Sequence, residues 1–343
     1  MRAGRGCTPF PFVSLAQKLR VRRKRFASLL LLLTLLPALA AVAETAYPSR
    51  PIRLIIPYPA GGPRDIQARL ISNRLTELWG RTVIIDNRAG ASGLVGTDLA
   101  AKAAPDGYTL LMIGGGHAIN ATLQPKLPYD SVRDFAAIAR TGSAPGLMVV
   151  GPALPVKSVT ELVEYMRSRP GKLFYASAGT GTPSHLAMEL LKIMTRTDAV
   201  HVPYKGMAPG LTDVMSGQVQ ISIPSIPGAV QLARAGKLRA LAVTGTRRSP
   251  AAPEIPTVSE AGIAGYSSTN WYGFVAPAKT PQPIIALLST EIVRLVETPG
   301  MRDRLQDIGL EPDPAGPTQF AEFIRAEIVK WGKVVKAVGL KPE

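Results

Sequence analysis

Two glycine-rich loops, at residues 57–65 and 177–185, carry the residue types of this sequence that could bind a small molecule. In the first loop, Gly61 and Gly62 permit a sharp turn and a close approach to the backbone, because glycine has no Cβ. Pro63 suits the first position of a helix. The N–H groups of a first helical turn are unpaired, and the helix dipole is positive there, so this loop favours an anion. The alternative is a capped turn with no ligand.

The second loop repeats the order strand, glycines, proline and helix, and it adds hydroxyl groups that can donate to carboxylate oxygens. Its hydroxyl groups belong to Ser177, Thr180, Thr182 and Ser184. A third loop, Gly114-Gly115-Gly116-His117, follows another predicted strand. Ligands of open α/β sheets gather beyond the carboxyl ends of strands. Two such edges that face each other across a hinge would offer N–H donors to one carboxylate from both sides.

Other chemistries find little support in the sequence. The glycines at 179 and 181 lack the third glycine and the later acid of a dinucleotide site, and no GxxxxGK[ST] sequence exists. No serine has glycines at both positions that a nucleophile elbow requires. The histidines lie far apart without metal-ligand spacing; His201 is expected to be structural and His185 to contact a helix end or a ligand. We therefore expect no cofactor, no metal and no catalysis. An exported hydrolase or isomerase is the alternative, and the sequence offers it no nucleophile–base pair.

The segments between the loops predict alternating strands and helices. Short apolar runs at residues 52–57, 82–86 and 108–113 are typical of strands buried on both faces, and helical patterns separate them. A second set of strands and helices follows from about residue 147 to 243, and helical patterns end the chain. We predict an α/β fold with two doubly wound domains joined by a hinge. Domain 1 comprises residues 47-145 plus 267-343 and domain 2 residues 146-266.

The N-terminus has the parts of a secretory signal peptide in residues 1-43. A basic run at residues 22–25 precedes an apolar stretch at 26–36, and Ala41-Val42-Ala43 is a cleavage sequence. A retained membrane anchor is the alternative, and the choice between Sec and twin-arginine export stays open. Cys7, the single cysteine, lies in this segment, so the mature chain would have no disulfide. Cleavage after Ala43 and a periplasmic location are therefore expected.

The net charge of +16 does not indicate nucleic-acid binding. Eight of the 40 basic residues lie in the first 43 residues, which contain no acid. The rest of the chain has 32 basic and 24 acidic residues without a block of like charges. The length of 343 residues fits two domains, and a monomer is the default expectation.

Many motifs in order resemble the Bug family, the substrate-binding proteins of tripartite tricarboxylate transporters, from Tyr47 to about Leu340. The matching stretches are YPSRPIRLIIPYPAGG, PDGYTLL, HAIN, SVTELV, YASAGTGTPSHLA, HVPYKG, LTDVMSGQVQ, GKLRALAVT, PTVSEAG and WYGFVAPA. The resemblance implies a Venus-flytrap fold that closes on a carboxylate, with ligand-holding loops at 58–65 and 177–185. It also implies delivery to integral-membrane permease subunits, or, as an alternative, signalling to a membrane sensor kinase.

Two positions depart from the family pattern. Where relatives usually carry Thr or Ser before the loop aspartate, this chain has Arg64, which we hypothesise to pair a second carboxylate; a solvated arginine is the alternative. Pro224-Ser225 replaces an acidic or amide pair, which makes a ligand amine less expected. Asp65 is expected to fix its loop, because it would repel an anion. The candidate ligand-binding residues are Tyr58, Pro59, Ala60, Gly61, Gly62, Arg64, Asp65, Gly115, Gly116, His117, Ser177, Ala178, Gly179, Thr180, Gly181, Thr182, Ser184, His185, Tyr204, Lys205, Ser225 and Trp271.

Overall fold

The computed structural model describes residues 47–124, 126–204 and 206–341. The predicted signal peptide, its cleavage site after Ala43 and the candidate residue Lys205 lie outside the described residues.

Strands and helices alternate along the described chain. The strands are β1 (Ile52–Ile56), β2 (Val83–Asn87), β3 (Thr109–Gly114), β4 (Phe135–Pro145), β5 (Leu147–Val150), β6 (Phe174–Ser177), β7 (Val200–Pro203), β8 (Ile221–Ser222), β9 (Arg239–Val243), β10 (Thr269–Pro277) and β11 (Glu311–Ala315). The helices are α1 (Pro63–Trp79), α2 (Leu94–Ala101), α3 (Gly115–Leu123), α4 (Val159–Arg167), α5 (Pro183–Thr195), α6 (Met207–Ser216), α7 (Ile226–Arg234), α8 (Gln282–Glu297), α9 (Pro299–Asp307) and α10 (Pro317–Ala337).

The strands form two mixed sheets. The first sheet has the order β11-β4-β10-β3-β1-β2, and the second has the order β7-β6-β8-β5-β9. Strands β1, β2 and β3 are parallel, whereas β10 runs antiparallel to both β3 and β4. The chain therefore returns to the first sheet after it completes the second. This confirms the predicted α/β class with two parts.

The local reasons for these elements are legible in the sequence. Four of the five side chains of β1, Ile52, Leu54, Ile55 and Ile56, are fully buried, as a strand covered on both faces requires. Helix α1 is capped by Gly80, whose φ of 60° is the left-handed conformation that glycine adopts without a Cβ penalty. Both glycine loops lead directly into a proline at the start of a helix, α1 in one case and α5 in the other.

The prediction of a third glycine loop is wrong. Gly115, Gly116 and His117 form the first turn of α3, which runs to Leu123. The three glycines have low helix propensity, so the sequence does not indicate a helix here. The helix forms because its buried face packs into the core and because the Gly115 N–H donates to Asn270 Oδ1 at 3.1 Å.

Two strands also have no counterpart in the prediction. Strand β4 begins with FAAIA, whose alanines have low strand propensity, and β11, with the sequence EPDPA, contains two prolines. Both belong to the first sheet. The predicted domain boundaries stay a prediction, because contacts group Pro48–Glu343 as one compact unit.

The two sheets are joined at two crossings. Strand β4 ends at Pro145, and after Gly146 the chain enters β5 of the second sheet. The return crossing runs from Thr244 to Ser268, before β10. Thr244 Oγ1 accepts the Gly146 N–H at 2.7 Å and donates to the Ser268 carbonyl oxygen at 2.5 Å. One buried hydroxyl therefore links both crossings.

Candidate functional site

A cavity of about 780 Å³ lies where the two glycine loops meet. Its size is typical of a site for a small molecule. The first loop, α3 and β10 contribute lining residues from the first sheet, and the second loop and the starts of α6 and α7 contribute from the second. The lining residues are Tyr58, Pro59, Ala60, Gly62, Arg64, Asp65, Ser92, Gly116, Asn120, Leu123, Ala178, Thr180, Gly181, Thr182, Pro183, Ser184, Gly206, Met207, Ser225, Asn270 and Tyr272.

Asp65 holds the first loop in place. Its carboxylate accepts the Gly61 N–H at 3.0 Å, two bonds from Arg69, and one from Asn87 Nδ2 at 3.0 Å. Burial alone would raise the pKa of Asp65, but the hydrogen bonds from Arg69, Gly61 and Asn87 hold the pKa below its ordinary value. The Gly61 N–H is therefore not available to a ligand. In the described part of the chain, the Gly62 N–H has no hydrogen-bond partner, and Gly62 lines the cavity.

Most polar groups of the second loop are hydrogen-bonded within the loop itself. Ser184 Oγ accepts the Ala178 N–H at 3.1 Å, and Thr182 Oγ1 donates to the Gly179 carbonyl at 2.6 Å. The hydroxyl group of Ser177 is hydrogen-bonded to Gly179 as well. Thr180 differs, because neither its N–H nor its hydroxyl is hydrogen-bonded to a described residue. Among the hydroxyl groups that were predicted as donors, that of Thr180 is the one without a hydrogen bond to a described residue.

Three stacked aromatic rings pack against the second loop, and one of them is hydrogen-bonded to it. The rings of His185 and His201 lie 3.8 Å apart and nearly parallel, and Tyr175 stacks on His201. His185 Nδ1 accepts the Gly181 N–H at 3.0 Å. Burial, helped by the nearby His201 and Lys192, lowers the pKa of His185 to about 3, which keeps its ring neutral and able to accept. His185 is 3% exposed and does not line the cavity, so it positions the loop instead of touching a ligand.

The structure brings together one serine–histidine pair that sequence spacing did not reveal. Ser177 Oγ lies 2.6 Å from His201 Nε2. Ser177 is fully buried and absent from the cavity lining, so its oxygen cannot reach a molecule bound there. The pair holds the end of β6 to β7, which run in parallel.

Arg64 lies in the cavity wall between two aromatic rings. Its guanidinium carbon is 4.1 Å from the ring centre of Tyr58 and 5.6 Å from that of Tyr272. The adjacent Asp65 pairs with Arg69 instead, at 2.9 Å. The buried Nε of Arg64 has no hydrogen-bond partner among the described residues. Arg64 thus lines the cavity as a cation that no described acidic side chain pairs with.

Several predicted ligand contacts lie outside the cavity lining. His117 is buried with Nε2 2.8 Å from the Ser131 carbonyl, and Trp271, 1% exposed, donates from Nε1 to Glu327. The hydroxyl group of Tyr204 donates to Asp213 at 2.5 Å. Each of these side chains has a partner in its own half of the molecule, which turns it away from the cavity. Gly61, Gly115, Ser177, Gly179 and His185 also lie behind the lining.

The cavity also has lining residues that the sequence did not indicate as ligand contacts. Asn120 and Leu123 lie on α3, whose first turn the prediction treated as a loop. Ser92, Pro183, Gly206, Met207 and Asn270 complete this group. Asn120 lies within the stretch HAIN, and Asn270 directly precedes WYGFVAPA, so these two motifs are the signals that could have located part of the lining.

Residues 67–340 match the family "Tripartite tricarboxylate transporter family receptor". The chain belongs to this receptor family. BugT of Bordetella pertussis is 35% identical over 304 residues, which cover 88% of this chain and 93% of BugT. Two solved structures with ligands are similar over their full length. R. palustris Rpa4515 with adipate is 38% identical with a TM-score of 0.75, covering 87% of this chain and 100% of that one. MatC from Rhodopseudomonas palustris with bound malate is 33% identical with a TM-score of 0.70, covering 84% and 100%.

Membership of this receptor family confirms the predicted two-domain periplasmic-binding-protein architecture. Within the described part of the chain, none of the helices combines the length and apolar character that a membrane span needs. The described residues also contain no group of three His, Cys, Asp or Glu side chains arranged to hold a metal ion.

Proposed function

We propose that this chain is a periplasmic solute-binding protein that captures a small carboxylate in the cavity and delivers it to permease subunits in the membrane. One observation carries the proposal. The N–H groups of Gly62 and Thr180, which have no described partner, come from opposite sheets and line one cavity together with the cation Arg64. Backbone N–H groups at helix starts favour anions, and a guanidinium pairs a carboxylate through two hydrogen bonds.

The relatives support a carboxylate as the anion. Adipate and malate are bound in the two similar R. palustris structures. The same loop order in this chain, with prolines starting α1 and α5, favours capture of a carboxylate head group between the loops. Closure of the two parts around the ligand would exclude water and strengthen these hydrogen bonds.

We further propose that the bound molecule is released unchanged. The Ser177–His201 pair is buried behind the second loop, so it cannot attack a ligand in the cavity. Transport requires release, and the donors of Gly62 and Thr180 bind a carboxylate without forming a covalent bond.

A thermal-shift screen on the exported protein tests this function. Mono-, di-, tri- and aromatic carboxylates are compared with their uncharged amides, and calorimetry follows on each hit. A cognate carboxylate at 100 times its Kd should add about 2.7 kcal/mol to the free energy of unfolding, whereas its amide should add little. NMR should recover the ligand unchanged. A protein that no carboxylate stabilises, or that its amides stabilise equally, would contradict the proposal.

Mass spectrometry of the same preparation tests the location. If the chain is exported and processed as we propose, its N-terminus is Glu44. A protein that keeps its first 43 residues in the membrane fraction would contradict periplasmic release.

A further inference from the structure

We propose that Arg64 determines the specificity of the cavity: it binds a second anionic group of the ligand and disfavours ligands that carry an ammonium there. This inference rests on the proposed function, because it requires that a first carboxylate is bound between the glycine loops. It adds the class of ligand, which is a small molecule with two anionic groups and no amine.

The side chain of Arg64 is fixed by its neighbours. Its guanidinium contacts the ring faces of Tyr58 and Tyr272. The Tyr58 hydroxyl donates to the Ser92 carbonyl at 3.2 Å, and Asn270 Nδ2 donates to the Tyr272 hydroxyl at 2.9 Å. Ring faces attract a guanidinium without consuming its N–H donors. The arginine is therefore held in place, while its terminal Nη groups have no hydrogen bond to a described residue and, unlike Nε, are not buried.

Three successive glycines make room for this arrangement. A Cβ on Gly114 would collide with Arg64 Nη2, and one on Gly116 would lie 2.6 Å from the Tyr58 hydroxyl. A Cβ on Gly115 would lie 2.9 Å from Asn270 Oδ1. Atoms cannot approach so closely, so larger residues at these positions would displace Arg64 or the groups that hold it. The start of α3 therefore packs closely against Arg64 and its neighbours Tyr58 and Asn270, which argues against a solvated surface arginine.

The position of the guanidinium indicates that it binds a second anionic group of the ligand and not the carboxylate that is held between the glycine loops. Gly62 follows β1, whereas the guanidinium lies beside Gly114 at the end of β3 and Tyr272 of β10. These strands lie one and two places from β1 in the sheet. Neighbouring strands are about 4.8 Å apart, so β3 and β10 are displaced from β1 by about 5 and 10 Å, respectively. A chain of a few carbons would span that separation.

The charges and surfaces of the lining agree with this class of ligand. Among the described lining residues, Arg64 and Asp65 are the charged ones, and Arg69 already neutralises Asp65. An ammonium would therefore meet an arginine and no available carboxylate. Leu123, Met207 and Pro59 give apolar contacts for the body of the ligand between its two ends.

Calorimetry with matched ligands tests the proposal. Succinate, glutarate, adipate and pimelate are each compared with the monocarboxylate and the ω-amino acid of equal carbon number. The proteins are the unmodified chain, Arg64→Thr, Arg64→Lys, and the control Arg74→Thr, which removes an exposed arginine of the same helix that pairs with Glu77. For the unmodified chain we expect the preferred dicarboxylate to bind at least about tenfold more tightly than its monocarboxylate, because a charged hydrogen-bonded pair is formed. The ω-amino acid should bind most weakly.

The variants separate the possible outcomes. Arg64→Thr should remove the preference for the dicarboxylate and leave the monocarboxylate nearly unchanged; Arg64→Lys should keep part of the preference, and Arg74→Thr all of it. Equal weakening of both ligands by Arg64→Thr would show that Arg64 binds the first carboxylate, which overturns the inference. If the unmodified chain binds the dicarboxylate and its monocarboxylate with equal affinity, the inference is overturned as well, whether or not Arg64→Thr folds. If no carboxylate of any kind binds, the proposed function itself fails.

Discussion

At the scale of single residues, most polar groups of the two loops hold the loops themselves. Asp65 accepts the Gly61 N–H, Ser184 accepts that of Ala178, and His185 accepts that of Gly181. These bonds fix the backbone before a ligand arrives, so little conformational entropy remains to be lost on binding. The donors left for a ligand are few and rigidly placed.

Asp65 gives the sharpest test of this arrangement. Asp65→Asn should lower the free energy of unfolding by about 1–3 kcal/mol, because it weakens a buried group that accepts bonds from Gly61, Arg69 and Asn87. Carboxylate binding should weaken as well, since the Gly61-Gly62 turn loses its support. Urea denaturation and calorimetry measure the two effects.

A second carboxylate of the same helix is the control for this prediction. Glu77, 62% exposed, pairs with Arg74, so Glu77→Gln should cost less than about 1 kcal/mol. Similar losses in the two variants would mean that Asp65 does not hold the loop.

The loops themselves could be predicted from the sequence, but the free donors could not. Glycines followed by a proline mark a helix start where an anion can bind, whatever the tertiary structure. Which donors stay unpaired depends on contacts such as His185 with Gly181, and periodicity contains no information about those. His117 and Trp271 looked equally available in the sequence, yet Ser131 and Glu327 bind them elsewhere.

At the scale of elements, the two crossings between the sheets depend on Thr244. Its side chain is fully buried and its hydroxyl joins Gly146 of one crossing to Ser268 of the other. Gly146 has no room for a Cβ, which would lie 2.6 Å from Ile223 Cγ2. The crossings are therefore packed closely and bonded to each other.

Replacing the hydroxyl of Thr244 should loosen both crossings. We expect Thr244→Val to lower the free energy of unfolding by about 1–3 kcal/mol, because the Gly146 N–H and the Ser268 carbonyl lose their partner while the side-chain volume is kept. Thr244→Ser keeps the hydroxyl and should cost less. Chemical denaturation ranks the variants, and a serine variant at least as unstable as the valine variant would refute the role of the hydroxyl.

Most elements were predictable because their apolar spacing is regular, as in α1 and α10. The exceptions have physical causes. Helix α3 begins with glycines, whose low helix propensity is overridden by tertiary packing and by the hydrogen bond that the Gly115 N–H donates to Asn270. Strand β4 has partly exposed positions without strict alternation, and β11 contains two residues that cannot donate a backbone bond. Long-range pairing with β10 and β4 creates these strands, and a local pattern does not reveal it.

At the scale of the whole molecule, buried neutral histidines link stability to pH. Burial, opposed by the Ser131 carbonyl and reinforced by Arg64, lowers the pKa of His117 to about 4, and burial likewise lowers that of His185 to about 3. His117 lies beside the first sheet and His185 beside the second. Both would be protonated near pH 6.5 in the unfolded chain.

Stability should therefore fall as the solution is acidified. Below pH 6.5 the unfolded chain binds protons that the folded chain does not, so each histidine should cost about 1.4 kcal/mol per pH unit until its folded pKa is reached. Urea denaturation at pH 7, 6 and 5 measures the slope. His117→Gln should reduce that slope by about 1.4 kcal/mol per pH unit, which corresponds to one proton. General destabilisation would not change the slope. A free energy that stays constant from pH 7 to 5 would contradict the prediction.

The two prolines that concealed β11 have a further effect at the rim of the first sheet. An outermost strand normally offers a row of N–H and carbonyl groups onto which a strand of another molecule can add. Pro312 and Pro314 remove two donors from this five-residue strand. Addition of a further strand to β11 is therefore disfavoured, so aggregation of this protein at high concentration through that edge is disfavoured as well.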